Sequence, residues 1–164
     1  MKIDGAKEFL YKIQENKKSD ESFSLSNDGR KNILDLKILV CLDISGSISP
    51  VQFKQFMAQV DLIKGLSTVK VLETDDKAVA LYDYFKTKEK ARIIRILGGG
   101  GTAFTDAFNL AKKMEPDAVL FMTDGMVSDN VKDPGIPTGW ILTHDGQIPY
   151  KFGDLVLKLP PPSF

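Results

Sequence analysis

A chain of 164 residues, 43% of them hydrophobic and 27% charged, is long enough for one domain with a true core and has the composition of a soluble globular protein. Lys plus Arg and Asp plus Glu stand at 22 each, so no net field favours nucleic acid or an anionic membrane, and no apolar run approaches the roughly 20 residues a membrane span needs. Residues 1–5 lack the apolar core of a signal peptide and a lone cysteine excludes an intramolecular disulfide, so a cytoplasmic protein is expected.

Residues 4–16 set Ala6, Phe9, Leu10 and Ile13 on one face, which predicts an amphipathic packing helix. Residues 17–32 are polar and hold the turn signal Asn27-Asp28-Gly29, predicting a flexible connection or a short hairpin. Residues 36–43 form a nearly continuous apolar run of strand length, as expected of a central strand buried on both faces, with Cys41 facing the core as a small hydrophobe. Pro50, Phe53, Phe56, Met57, Val60 and Ile63 then mark a helix with Ser49 as its cap.

Residues 69–74 and 78–82 flank Asp75-Asp76-Lys77 and read as a hairpin, which puts one antiparallel strand at an edge of the sheet; residues 84–90 read as a helical turn. A second apolar run, Ile93 to Leu97, enters Gly98, Gly99, Gly100, Gly101 and Thr102. Phe104, Phe108, Ala111 and Met114 give a further amphipathic helix closed by Pro116. Strands are expected at 118–123, 139–143 and 155–159, followed by a stiff Pro-rich tail at 161–164. Strands alternating with helices imply an α/β, three-layer, doubly wound Rossmann-like fold of about six mostly parallel strands, the first of them central. It divides into residues 1–35 as helix and connection, 36–160 as the domain proper, and the tail.

The chemistry concentrates where strands end. Asp43, Ser45 and Ser47 alternate along a segment leaving an apolar strand, so their oxygens can converge while the chain stays extended, a ligand set suited to a hard divalent cation. The runs ending at Thr102 and at Thr123-Asp124-Gly125 bring further oxygens to strand ends, so that three of them are expected to meet at one ion, in the crevice where open α/β sheets bind ligands.

D-x-S-x-S, a glycine run ending in Thr, and an apolar strand ending in T-D-G together resemble the metal-ion-dependent adhesion site of von Willebrand factor A domains. The resemblance implies Asp43, Ser45, Ser47, Thr102 and Asp124 as metal ligands, and Ala107-Phe108 fits the small-then-large pair expected after the glycine-threonine turn. Mg²⁺ is the ion it implies, with Mn²⁺ or Ca²⁺ as alternatives, and a partner protein's acidic side chain would fill an open coordination position. Intracellular relatives work beside AAA-type ATPases or within multi-protein assemblies, so the resemblance implies a binding module rather than an enzyme. The glycine run and Gly139-Trp140-Ile141-Leu142-Thr143 are most similar to the C-terminal A-like domains of bacterial and phage metallopeptidase-type proteins, but this chain has no H-E-x-x-H segment and the peptidase activity is not carried over. Asp106, Asp129 and His144 stand near the expected rim, where they would orient waters or add a ligand; each also reads as an ordinary surface residue.

Rival readings explain less. Gly98 to Ala103 fits G-x-G-x-x-A with Asp124 about 20 residues onward, a nucleotide-binding pattern that leaves Asp43, Ser45 and Ser47 without a role. A Mg²⁺-dependent phosphotransferase of the haloacid-dehalogenase type needs a second aspartate where Ser45 stands, so its general acid is missing. A serine hydrolase would have to use His144, the sole histidine, as its base, and Ser45 lacks the G-x-S-x-G elbow.

Overall fold

The computed structural model describes residues 5–20, 36–63, 68–74, 79–83, 92–94, 103–127 and 129–162. The elements run α1 (Gly5–Asp20), β1 (Lys37–Asp43), α2 (Pro50–Ile63), β2 (Thr68–Thr74), β3 (Val79–Asp83), β4 (Arg92–Ile94), α3 (Ala103–Met114), β5 (Ala118–Thr123), β6 (Thr138–Leu142) and β7 (Leu155–Lys158). One sheet contains all the strands, in the order β4-β3-β2-β1-β5-β6-β7. Strands β2, β1, β5, β6 and β7 pair in parallel, and β3 runs against both of its neighbours.

This is the expected α/β fold with β1 at its centre, and two details differ. The sheet has seven strands rather than six, because Arg92–Ile94 pairs with Val79–Leu81. The antiparallel strand therefore lies one place in from the edge, with the short β4 outside it. The apolar run from Ile93 is one of the three strand ends expected from the sequence but stands outside the count of six; its pairing with β3 over three residues makes the seventh strand. The connection at 21–35, the turn at 75–77, residues 84–90 and the glycine run with Thr102 lie outside the described residues.

Side-chain alternation assigns the two faces. Ile38, Val40 and Leu42 of β1 join Leu120 and Met122 of β5 beneath α1 and α2, where Phe9, Leu10, Phe56 and Val60 fill the interior. Leu39 and Cys41 join Val119, Phe121, Trp140 and Leu142 on the opposite face, beneath Phe104, Ala107, Phe108 and Ala111 of α3. Strands β5 and β6 are buried at every position, whereas β7 alternates as an edge strand does. Cys41 is 1% exposed, and burial pushes its thiol well above the ordinary range, so it packs as a hydrophobe.

On the α3 face only one helix is present among the described residues, and the β5–β6 and β6–β7 connections complete the cover. Val127, Val131, Ile136, Tyr150 and Phe152 all pack into this cluster. The Trp140 indole N–H donates to the Phe152 carbonyl at 2.7 Å, satisfying a polar group that is otherwise fully buried. Gly153 makes the approach possible, since a Cβ there would lie 2.5 Å from Trp140 Nε1.

Helix α2 begins with a reciprocal capping box. The Gln52 N–H donates to Ser49 Oγ at 3.1 Å, and the Ser49 N–H donates to Gln52 Oε1 at 2.9 Å, with Pro50 in the first helical position. Ser49→Ala should therefore lower stability by about 1 kcal/mol, whereas Ser45→Ala and Ser47→Ala should each change it by less than about 0.5 kcal/mol in the metal-free protein, as measured by urea denaturation.

Candidate metal site at the carboxyl edge

The chain leaves β1 through α2 to reach β2 on one side, and later passes through α3 to reach β5 on the other. The carboxyl ends of β1 and β5 thus flank the point where the winding reverses, the place where an open parallel sheet offers a ligand crevice. Asp43 closes β1 and Thr123 closes β5, one step beyond the paired Leu42 and Met122. Asp124 follows directly.

The strand ends are joined by side chains. Thr123 Oγ1 donates to Asp43 Oδ2 at 2.7 Å, and the Ser45 N–H donates to Asp43 Oδ1 at 2.9 Å. Asp43 is only 2% exposed. Beyond it, the Ile48 N–H bonds the Ser45 carbonyl at 3.0 Å and closes a turn that brings Ser45 Oγ to 3.1 Å from Ser47 Oγ. The cap of α2 is Ser49, so neither of these hydroxyls is spent on the helix. Three of the expected oxygen donors are in this way gathered within one turn of chain.

Asp124 is 8% exposed; its Oδ1 accepts the Met126 N–H at 3.0 Å and its carbonyl accepts the Gln147 N–H at 3.1 Å. Gly125 has φ +79°, and a Cβ at that position would lie 1.7 Å from the Gln147 carbonyl oxygen. The T-D-G sequence is thus locked against the loop that follows β6. Among the described residues neither Asp43 nor Asp124 is paired with Lys, Arg or His; the donors they receive are neutral. Two nearly buried carboxylates on adjacent strand ends, with no cationic partner among the described residues, gain from a cation supplied to them. No group of three or more His, Cys, Asp or Glu side chains suited to a metal occurs among the described residues, and the expected set contains just two carboxylates, the rest being hydroxyls. The donor chemistry at β1 and β5 fits a hard divalent ion.

The remaining expected residues fare differently. Thr102 and Gly98 to Gly101 lie outside the described residues. Strand β4, which leads to them, ends on the same edge as β1 but three strand spacings away, roughly 14 Å. The meeting of three strand ends is therefore, among the described residues, a meeting of two. Asp106 sits in the first turn of α3, half-buried, where a negative charge suits the helix dipole. His144 is directed at its neighbour, with Nδ1 3.8 Å from Asp145 Oδ1. Asp145 is held below the usual carboxylate range by the Thr143 hydroxyl, then by its own backbone, with His144 and Lys158 contributing.

Asp129 is no ordinary surface acid. Its Oδ2 accepts both the N–H (3.0 Å) and the hydroxyl of Thr105 in the first turn of α3, and its Oδ1 accepts the Tyr150 hydroxyl at 2.6 Å. Two residues had no role of their own assigned from the sequence. Thr123 carried a readable signal, since it shares strand parity with Phe121 and Asp43 occupies the matching place on β1. Tyr150 carried none, lying in a stretch without periodicity. A separate cavity of about 470 Å³, lined by Lys37, Leu39, Thr68, Lys70, Met114 and Pro116, opens at the opposite, amino edge of the sheet and takes no part in this site.

The fold and this edge define a VWA-like α/β domain. The family model described as VWA-like domain (DUF2201) matches residues 38–159, most of the chain, and the chain belongs to that family. The match begins on β1 and ends just past β7, so it contains both strand ends of the candidate site. No curated protein and no solved structure matches the chain. Among the described residues no helix is long and apolar enough to cross a membrane.

Gly125→Ala combines a disallowed backbone with a collision, and should cost about 2–4 kcal/mol in urea denaturation. Tyr150 supplies a pH dependence. Burial first, then the bond to Asp129 and its charge, raise the phenol above its ordinary value. The folded-state value thus exceeds the unfolded one, so the stabilisation is complete below about pH 10 and is lost as pH rises beyond it. The wild type should lose stability above about pH 10 more steeply than Tyr150→Phe; equal slopes in pH-dependent denaturation would show that the phenol is not so held.

Proposed function

We propose that the chain is a divalent-cation-dependent protein-interaction module that holds one Mg²⁺ at the carboxyl edge of its sheet. Asp43, Ser45, Ser47, Thr102 and Asp124 would supply the protein's oxygens, directly or through water. The observation that carries this reading is Asp43: a carboxylate 2% exposed at the winding reversal, bonded to neutral donors, with Asp124 next to it on the adjoining strand. A cation held by two carboxylates and neutral hydroxyls keeps an attraction for an external acid, so the partner is taken to offer an Asp or Glu side chain. The surroundings favour a protein over a small anion. Ile44, Met126 and Ile148 are exposed large apolar side chains adjoining Asp43, Asp124 and the Gln147 loop, a surface suited to macromolecular contact.

An intracellular setting beside an AAA-type ATPase or another multi-protein assembly belongs to the same reading, as does the absence of catalysis. The nucleotide alternative gains no support: its glycine loop follows the edge strand β4, whereas a dinucleotide fold uses the turn after its central first strand.

Calorimetric titration of the metal-stripped protein with Mg²⁺ and Mn²⁺ tests the site, with ATP in a parallel run. One saturable site is expected, weakened more than about 100-fold in Asp43→Asn, which keeps the side chain's size. Wild type that binds nucleotide but no metal would overturn the proposal.

A further inference from the structure

The cavity of about 470 Å³ at the amino edge has no part in the metal reading, and its lining follows from where α3 stops. Side chains of Lys37, Leu39 and Cys41 alternate toward the α3 face of β1, and the parallel register sets Thr68 beside Lys37 and Lys70 beside Leu39. Leu72, two residues beyond Lys70, belongs to the same buried cluster, so Thr68 and Lys70 also stand on that face. Leu39 and Cys41 are sealed beneath the helix at 1% exposure each, whereas Lys37, Thr68 and Lys70 are exposed. Glu115 leaves the helix with φ +51°, its N–H still bonded to the Ala111 carbonyl at 3.0 Å, and Pro116 cannot continue it. The end of α3 thus supplies Met114 and Pro116 to the cavity, and the uncovered amino ends of β1 and β2 supply the rest.

Electrostatics select the ligand. Lys37 and Lys70 bring two full positive charges to diagonal positions on adjacent strands, and among the described residues none of those lining the cavity is acidic. Glu115 and Asp117 flank Pro116 without lining it, and Asp117 Oδ2 accepts the Lys37 backbone N–H at 2.8 Å. The carboxyl end of α3 opposes an anion with only about half a charge, and Lys112 and Lys113 in its last turn offset that. We infer that this cavity binds a small organic anion with an apolar body, an aromatic or branched carboxylate, whose charge is met by Lys37 and Lys70 and whose body lies against Leu39, Met114 and Pro116. The volume falls within the roughly 300–1,000 Å³ of small-molecule sites, and the Thr68 hydroxyl adds a hydrogen-bonding group. Exposed lysines alone hold an anion weakly, and the apolar lining adds the burial that they lack. The inference stands apart from the metal site, which lies at the other end of the strands.

The test titrates the isotope-labelled full chain with naphthoate, with its uncharged counterpart naphthamide and with inorganic phosphate, following backbone amide shifts by NMR and affinity by calorimetry. Wild type is compared with the double variant Lys37→Gln, Lys70→Gln and with Asp43→Asn. Expected with naphthoate are saturable shifts gathered on Leu39, Thr68, Lys70 and Met114, with affinity the same in Asp43→Asn. Naphthamide and phosphate should each bind wild type about tenfold more weakly, and the double variant should lose about tenfold toward naphthoate while keeping a Tm close to wild type. Equal affinity for naphthoate and naphthamide, or for naphthoate in wild type and the double variant, would overturn the charge recognition and with it the inference. Phosphate binding as tightly as naphthoate would overturn it from the other side, by showing lysines that act without the apolar lining. Shifts that do not saturate, or that gather at Met126 and Ile148 instead, would also overturn it. Should the double variant not fold, the comparison of naphthoate with naphthamide and phosphate in wild type decides alone.

Discussion

The hydrogen bond from Thr123 to Asp43 ties together the two strand ends on which the carboxyl edge is built. Asp43 must be nearly buried to stand where β1 and β5 diverge, and a carboxylate in that position needs donors. The sheet supplies one from the neighbouring strand and the turn after β1 supplies another. Both are neutral, so among the described residues no cation compensates the negative charge at the place where the winding reverses. Much of the local sequence follows from that demand: a hydroxyl ending β5, the small residues Ser45, Gly46 and Ser47 in the turn beyond Ile44, and a separate cap for α2 at Ser49.

The same edge shows how loops do a helix's work. Beneath α3 the aromatic cluster of Phe104, Phe108, Phe121 and Trp140 is completed by Tyr150 and Phe152, with Phe104 and Phe121 ring centroids 4.4 Å apart and the Tyr150 and Phe152 rings stacked. Segments that carry Asp124, Asp129 and Gln147 are therefore core elements as well as rim. The geometry of the candidate site is inherited from packing, and the loops are held by buried bonds at Trp140 and Tyr150 rather than by short-range turn chemistry alone.

What could be read in the sequence depended on periodicity and on position relative to a strand end. The apolar runs of β1 and β5 were legible because strands buried on both faces are apolar throughout, and Ser49 with Pro50 announced α2 by local chemistry. Asp43, Ser45 and Asp124 were legible as strand-terminal oxygens. The run from Ile93 was legible as an apolar segment ending at the glycines but was left out of the strand count, and its pairing with β3, over three residues, was not legible. Asp129 could be listed but its role could not be foreseen, since Thr105 and Tyr150 reach it through tertiary folding alone. The family match adds the class of domain, while the proposal of a metal rests on the donor chemistry.

The anchoring of the two long connections has an entropic consequence. Loops that surround a binding site in many domains are free to reorder, and association then costs the freedom they lose. Here Tyr150 and Phe152 sit in the core on one side of the β6–β7 connection and Gly125 is pressed against Gln147 on the other, so little of that freedom remains to be lost. On the proposed reading, a surface formed this way would meet a partner already shaped. Its selectivity would then reside in the side chains at the exposed tips, Met126 and Ile148 among them, positions that can vary without disturbing the scaffold beneath.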